Sequence, residues 1–228
     1  MNQPYDKYIP IIFDNNGDLG SGQYFEDDID SLRDKVEIEL EEEPTLLIDI
    51  LHSAFTNFET HLSSYTVYQL SNAIDYIFNP GLSNYGFVFK DDTVDRRKRI
   101  EALDSLSDLM LFIYEDTAEP ILGHLSQSVQ DKRKDILNGV CYMFWDTATI
   151  PYNCDEDIRN ACLAVMGRCA RSNNIAVVEG ALHGLGHAQR YSDKKLIEKY
   201  IDEANLGTSE NSEALRRYAQ AAKRGRVL

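Results

Sequence analysis

An all-α fold of stacked antiparallel helix pairs is predicted by three observations. From about residue 24 onward, apolar residues recur at steps of three and four almost everywhere. The periodic segments are mostly about 15 to 20 residues long and are joined by short polar turns, the pattern of amphipathic neighbours packed in antiparallel. Six prolines and thirteen glycines in 228 residues argue against long disordered or low-complexity tracts. A chain of this length can bury a sizeable core, and residues 1–228 are expected to form one domain.

The N-terminal 23 residues are expected to be irregular. Ile9-Pro10-Ile11-Ile12-Phe13 is an apolar patch without helical period, and a glycine-rich turn region, 14–22, follows it. Asp14, Asn16 and Asp18 have the first spacings of a calcium loop. The pattern then fails, with Leu19 where glycine makes the sharp turn and Phe25 where a bidentate glutamate closes the site.

A helix is expected over 24–43, with Phe25, Ile29, Leu32, Val36 and Leu40 along one face. The alternation from Val36 to Glu41 would suit an edge strand, but it covers fewer residues than the helical stripe. Pro44 opens the next helix, with Leu47, Leu51, Ala54, Phe58 and Leu62 inward. A third carries Val67, Leu70, Ile74 and Ile77 and ends at Asn79-Pro80-Gly81. Residues 80–92 form the longest break, where Tyr85, Phe87 and Phe89 alternate as in a short extended segment. Helices are then expected near 93–115 (Leu103, Leu106, Met110, Ile113 inward), 129–146 (Ile136, Val140, Met143, Phe144 inward), 155–171, 174–190, 193–205 and 210–224.

The charge is the most uneven property of the chain. Residues 1–90 hold 16 acids against 4 bases, whereas residues 91–228 hold 22 against 19, within a formal net charge of −15. Ten acids crowd one segment: Glu26, Asp27, Asp28, Asp30, Asp34, Glu37, Glu39, Glu41, Glu42 and Glu43. Such a field repels phosphates, which argues against nucleic acid and anionic lipid and for a basic protein as partner. No apolar run reaches the roughly 20 residues needed to cross a bilayer, and the N-terminus has no basic start followed by an apolar stretch. Cys162 and Cys169 align with Ile158 and Val165 on one helix face, so the thiols are expected to be buried and reduced, in a cytoplasmic protein.

Three segments carry side chains that could do chemistry or meet a partner. The helix over 174–190 has an apolar seam of Ile175, Val178, Leu182 and Leu185. Beside it runs a flat stripe of Ala176, Gly180, Gly184 and Ala188, and between them lie Glu179, His183 and His187. Each glycine costs a helix about 0.8–1 kcal/mol relative to alanine, so three of them imply either tight packing against a neighbour or a break in the helix. Histidines four apart on a helix can hold zinc. Gly184 stands where the metalloprotease helix has its glutamate, so a partly buried histidine pair is the main expectation, with no metal and no cofactor. A metal- or histidine-dependent enzyme using Glu179, His183 and His187 is one alternative, and a general protein-interaction scaffold is the other. Trp145, Asp146 and Tyr152 are a second candidate contact surface, because Trp and Tyr beside an acid suit an interface. The competing reading is an aromatic plug between helix pairs with Asp146 capping the next turn. Arg96-Arg97-Lys98-Arg99 follows Asp91, Asp92 and Asp95 and is expected to pair with them on a solvated turn.

The C-terminal two-thirds resembles HEAT/armadillo-like helical repeats in the run of its helices, without self-similarity at a fixed period. Phe144-Trp145-Asp146, Ala181-Leu182-His183-Gly184-Leu185-Gly186-His187 and the ending Leu215 to Leu228 resemble the C-terminal half of a group of uncharacterised bacterial helical proteins. That resemblance implies a HEAT-like α-solenoid and a bacterial context, and no activity. Acidic proteins of this kind are similar to immunity proteins that neutralise toxins of competing bacteria. The expected function is therefore non-enzymatic binding of a basic toxin domain, such as a nuclease, through the acids of 26–43, with Trp145, Asp146 and Tyr152 as the second surface.

Overall fold

The computed structural model describes residues 5, 8–13, 36, 38–123, 132–208 and 211–227. Among these residues every regular element is helical and none is a strand. No helix among them is long and apolar enough to cross a membrane.

The apolar patch at the N-terminus is a helix, α1 (Ile9–Phe13), rather than an irregular segment. It lacks amphipathic period because Ile9, Ile11, Ile12 and Phe13 are all buried, and Pro10 sits in the first turn, where no backbone donor is required. Of the acidic segment, residues 38–42 are helical, as is Val36. Val36 and Leu40 point into the core while Ile38 is exposed, which is the helical and not the strand alternation. Residues 24–35 and 37, with Phe25, Ile29 and Leu32, lie outside the described residues, as do 14–22 and the discarded calcium spacing.

α2 (Pro44–Thr56) starts on its proline and buries Leu47, Leu51 and Ala54. It stops at Asn57, so Phe58 opens a separate turn, α3 (Phe58–His61). α4 (Val67–Phe78) begins with a reciprocal capping box between Thr66 and Gln69. The break after it contains a 3₁₀ helix, Tyr85–Lys90, and not an extended segment. Tyr85, Val88 and Phe89 turn inward there and Phe87 outward, because a three-residue turn groups i with i+3 and not with i+2.

α5 (Arg96–Tyr114) is capped by Asp95, whose carboxylate accepts from the Arg97 and Lys98 amides. The basic run is paired, but not with Asp91, Asp92 or Asp95 as expected. Arg96 meets Asp157 at 2.7 Å, Arg97 meets Glu101 at 2.7 Å, and Lys98 meets Asp49 at 2.6 Å. Buried Arg99 reaches the Phe89 carbonyl at 3.2 Å and Asp155 at 3.4 Å. Arg96, Lys98 and Arg99 reach neighbouring elements and Arg97 pairs one turn along α5, while Asp95 is committed to the helix end.

α6 (Lys132–Thr147) is turned about its axis relative to the expected face: Leu137, Cys141, Phe144 and Trp145 are buried, while Met143 is exposed. α7 (Glu156–Cys169), capped by Asp155, buries Ile158, Cys162, Val165 and Cys169 as expected. α8 (Ile175–His187), capped by Asn174, is buried almost throughout. A 3₁₀ turn, Tyr191–Asp193, leads into α9 (Lys194–Asp202), and α10 (Asn211–Ala222) follows.

The packing order is alternating. α2 lies on α5, α5 on α7, and α7 on α9, while α4 lies on α6, α6 on α8, and α8 on α10. The helices thus form two rows, α2–α5–α7–α9 and α4–α6–α8–α10, which meet most closely where α7 packs on α8. The candidate site lies along the α6–α8–α10 row.

Candidate functional site

The flat stripe of α8 does bring a neighbour close. A Cβ on Gly180 would stand 2.6 Å from the Cys141 carbonyl oxygen, and one on Gly184 2.6 Å from Trp145 Cδ1. A Cβ on Gly186 would meet Val227 at 2.5 Å. α6 therefore rests directly on the α8 backbone, and the same contact sets Asp146, one residue beyond Trp145, against His183, one residue before Gly184.

His183 is the centre of the site. Its Nε2 lies 2.9 Å from Asp146 Oδ2 and its Nδ1 lies 2.6 Å from the Tyr218 hydroxyl of α10. The Tyr218 hydroxyl is in turn 3.1 Å from that of Tyr142, one helical turn before Asp146 on α6. His187 Nε2 stands 3.4 Å from Asp146 Oδ1. The two imidazoles meet edge to face, with centroids 4.5 Å apart. The His183 side chain is almost fully buried, whereas those of His187 and Asp146 are 37% and 26% exposed. The site is thus a half-open bowl with one buried wall.

The hydroxyls are poor acids here. Burial, with the Tyr218 hydrogen bond working against it, pushes the Tyr142 hydroxyl up to about 12. Burial and then Tyr142 push Tyr218 further above its ordinary value. Both stay protonated at neutral pH, Tyr218 as the hydrogen-bond partner of His183 and Tyr142 as that of Tyr218.

Glu179, grouped with the histidines by helical spacing, is not the third member of their cluster. It is buried two turns toward the start of α8 from His187, where its Oε2 accepts from the Gly123 amide at 2.9 Å. The third polar member of the histidine group is Asp146 from the facing helix. Asp146 therefore does not cap the turn after α6, and its carboxylate faces the histidines. Trp145 is 1% exposed, so the expectation of a surface hot spot fails for it, because the glycine stripe draws the indole into the core. Tyr152 is half-buried. Tyr142 and Tyr218 were not singled out from sequence. Tyr142 could have been, since it precedes Asp146 by the same four residues that separate the histidines.

Among the acids of the N-terminal segment, Glu39, Glu41, Glu42 and Glu43 are described, and Glu26, Asp27, Asp28, Asp30, Asp34 and Glu37 lie outside the described residues. Glu39 accepts from the Tyr8 hydroxyl at 2.6 Å, and Glu41 from the Asn84 amide at 3.0 Å. Glu41, Glu42 and Glu43 are exposed.

No family model, curated protein or solved structure matches the chain.

Proposed function

We propose that this chain is a non-enzymatic binding protein that docks its acidic N-terminal end on a cationic protein. The charge distribution carries this reading: an excess of twelve acids in residues 1–90 against three in residues 91–228. Exposed Glu41, Glu42 and Glu43 at the entry to α2 supply described carboxylates for such a surface. Electrostatic complementarity of this kind raises association rates and rejects like-charged partners. The alternating packing order, with helices in two rows, supports a HEAT-like stack of helix pairs. An immunity protein that covers the basic active site of a toxin, such as a nuclease, in a bacterial cytoplasm is the specific form we favour.

The test is capture from the native host with the intact chain and with a variant carrying Glu41→Lys, Glu42→Lys and Glu43→Lys. A basic protein retained by the first and lost by the second is expected, with an association rate that falls as salt rises. Recovery of an acidic protein or a nucleic acid would overturn the reading. A second reading, histidine- or metal-dependent chemistry, draws on the Asp146–His183–Tyr218 hydrogen-bond chain. Turnover of any substrate that is lost in His187→Ala would favour it.

A further inference from the structure

The geometry points to a binding site for a single divalent transition ion of the zinc class, formed by His183 Nε2, His187 Nε2 and the Asp146 carboxylate. The three side chains each offer one ligand atom, and these atoms lie within 4.8 Å of one another. Tetrahedral zinc with nitrogen and oxygen ligands sets neighbouring donors about 3.4 Å apart. The His187–Asp146 separation is 3.4 Å already, and the His183–Asp146 separation of 2.9 Å opens by a small rotation of the partly exposed carboxylate. The histidines are four apart on α8, which is the helical spacing that converges two imidazoles on one ion.

The surroundings also suit an ion. Metal-bound imidazoles commonly donate their second ring N–H to an outer partner that holds the ring in place. Tyr218 stands in that position, 2.6 Å from His183 Nδ1 on the side away from Asp146. The Tyr218–Tyr142 hydroxyl pair has no fixed direction, since either oxygen can donate. With a proton on His183 Nε2, that proton goes to Asp146, and Tyr218 donates to Nδ1. With an ion on Nε2, the proton moves to Nδ1, which then donates to Tyr218, and Tyr218 donates to Tyr142. Both states keep His183 Nδ1 and the two hydroxyls hydrogen-bonded to one another. Three protein ligands with an open side toward solvent leave a fourth position for water or for a group from another molecule. The site is separate from the acidic docking surface, and the two proposals fail independently.

The test uses the full-length chain, free of any affinity tag, stripped with a chelator and titrated with zinc chloride by calorimetry at neutral pH. One equivalent at micromolar or tighter affinity is expected, with magnesium showing none. Asp146→Asn and His187→Ala, both at partly exposed positions, should each weaken zinc binding at least about tenfold. Tyr218→Phe should weaken it about 10- to 100-fold, as loss of an outer partner does. Circular dichroism of each variant establishes that it is folded before it is titrated. Absence of zinc binding by the intact chain, or unchanged affinity in folded Asp146→Asn and His187→Ala, would overturn the assignment. Magnesium binding as tight as zinc would overturn the nitrogen ligation.

Discussion

Tyr218 touches two helices through one oxygen. Removing that oxygen in Tyr218→Phe deletes a partner of His183 Nδ1 and of the Tyr142 hydroxyl while keeping the ring, which lies nearly parallel to the imidazole. We expect a loss of about 1–3 kcal/mol in urea unfolding, the cost of taking a partner from a buried polar group. Arg159 is the more demanding case. It donates to Asp193, to the Pro151 carbonyl at 2.6 Å and to the Ala188 carbonyl, and both charged side chains are almost fully buried. Arg159→Ala should cost about 3–5 kcal/mol, because Asp193 keeps a buried charge without its counter-ion. A loss under about 1 kcal/mol would mean that water replaces the guanidinium there. Spacing alone made the histidine pair legible, since i and i+4 share a helical face. It made Glu179 the obvious companion for the same reason. Asp146 was not legible as the partner, because a contact between helices depends on which faces meet, and no period within one segment carries that.

The glycines of α8 act as an element-scale device. Substituting alanine for glycine in a helix normally stabilises by about 0.4–1 kcal/mol. At Gly184 the added carbon would meet the Trp145 ring at 2.6 Å, and overpacking of this kind costs about 1–3 kcal/mol. Gly184→Ala should therefore destabilise, whereas Gly139→Ala on the exposed side of α6, where nothing lies within 4 Å, should stabilise. Thermal unfolding of the two variants separates these signs, and a rise in both would show that α6 yields freely. Because Gly184 adjoins His183 and Trp145 adjoins Asp146, the Gly184→Ala variant should also lose zinc affinity without touching a ligand. Close approach was legible from the four-residue glycine spacing. The rotation of α6 was not: its Met143 and Trp145 are both apolar, and only the contact with α8 decides which one turns inward. The short 3₁₀ helix at Tyr85–Lys90 escaped for a related reason, since three aromatics at alternate positions fit a strand equally well until their neighbours are known.

At the scale of the whole molecule, the helical class and most element positions could be read from the chain, because amphipathic period is a local property. The order of packing could not, as it depends on contacts far apart in sequence. The thiols report on the integrity of that packing. Burial holds Cys141 and Cys162 well above the ordinary thiol range and Cys169 up to about 12. In the unfolded chain these groups ionise near pH 8.5. The folded state binds more protons above that point, so its stability is intact below about pH 8.5 and falls as pH rises toward 12. Each thiol contributes a slope of up to about 1.4 kcal/mol per pH unit. Urea midpoints at about pH 7.5 and about pH 10.5 check this, and equal midpoints would mean that the thiols reach solvent in the native state. The Arg159 contacts have a further consequence for how the chain opens. Stacked helix pairs ordinarily fray from their ends, each pair depending only on the next. Here one guanidinium fastens the turn before α7, the end of α8 and the turn before α9. Amide hydrogens of α9, though close to the terminus, should accordingly exchange with solvent at the slow pace of α7 and α8, as members of one cooperative opening unit.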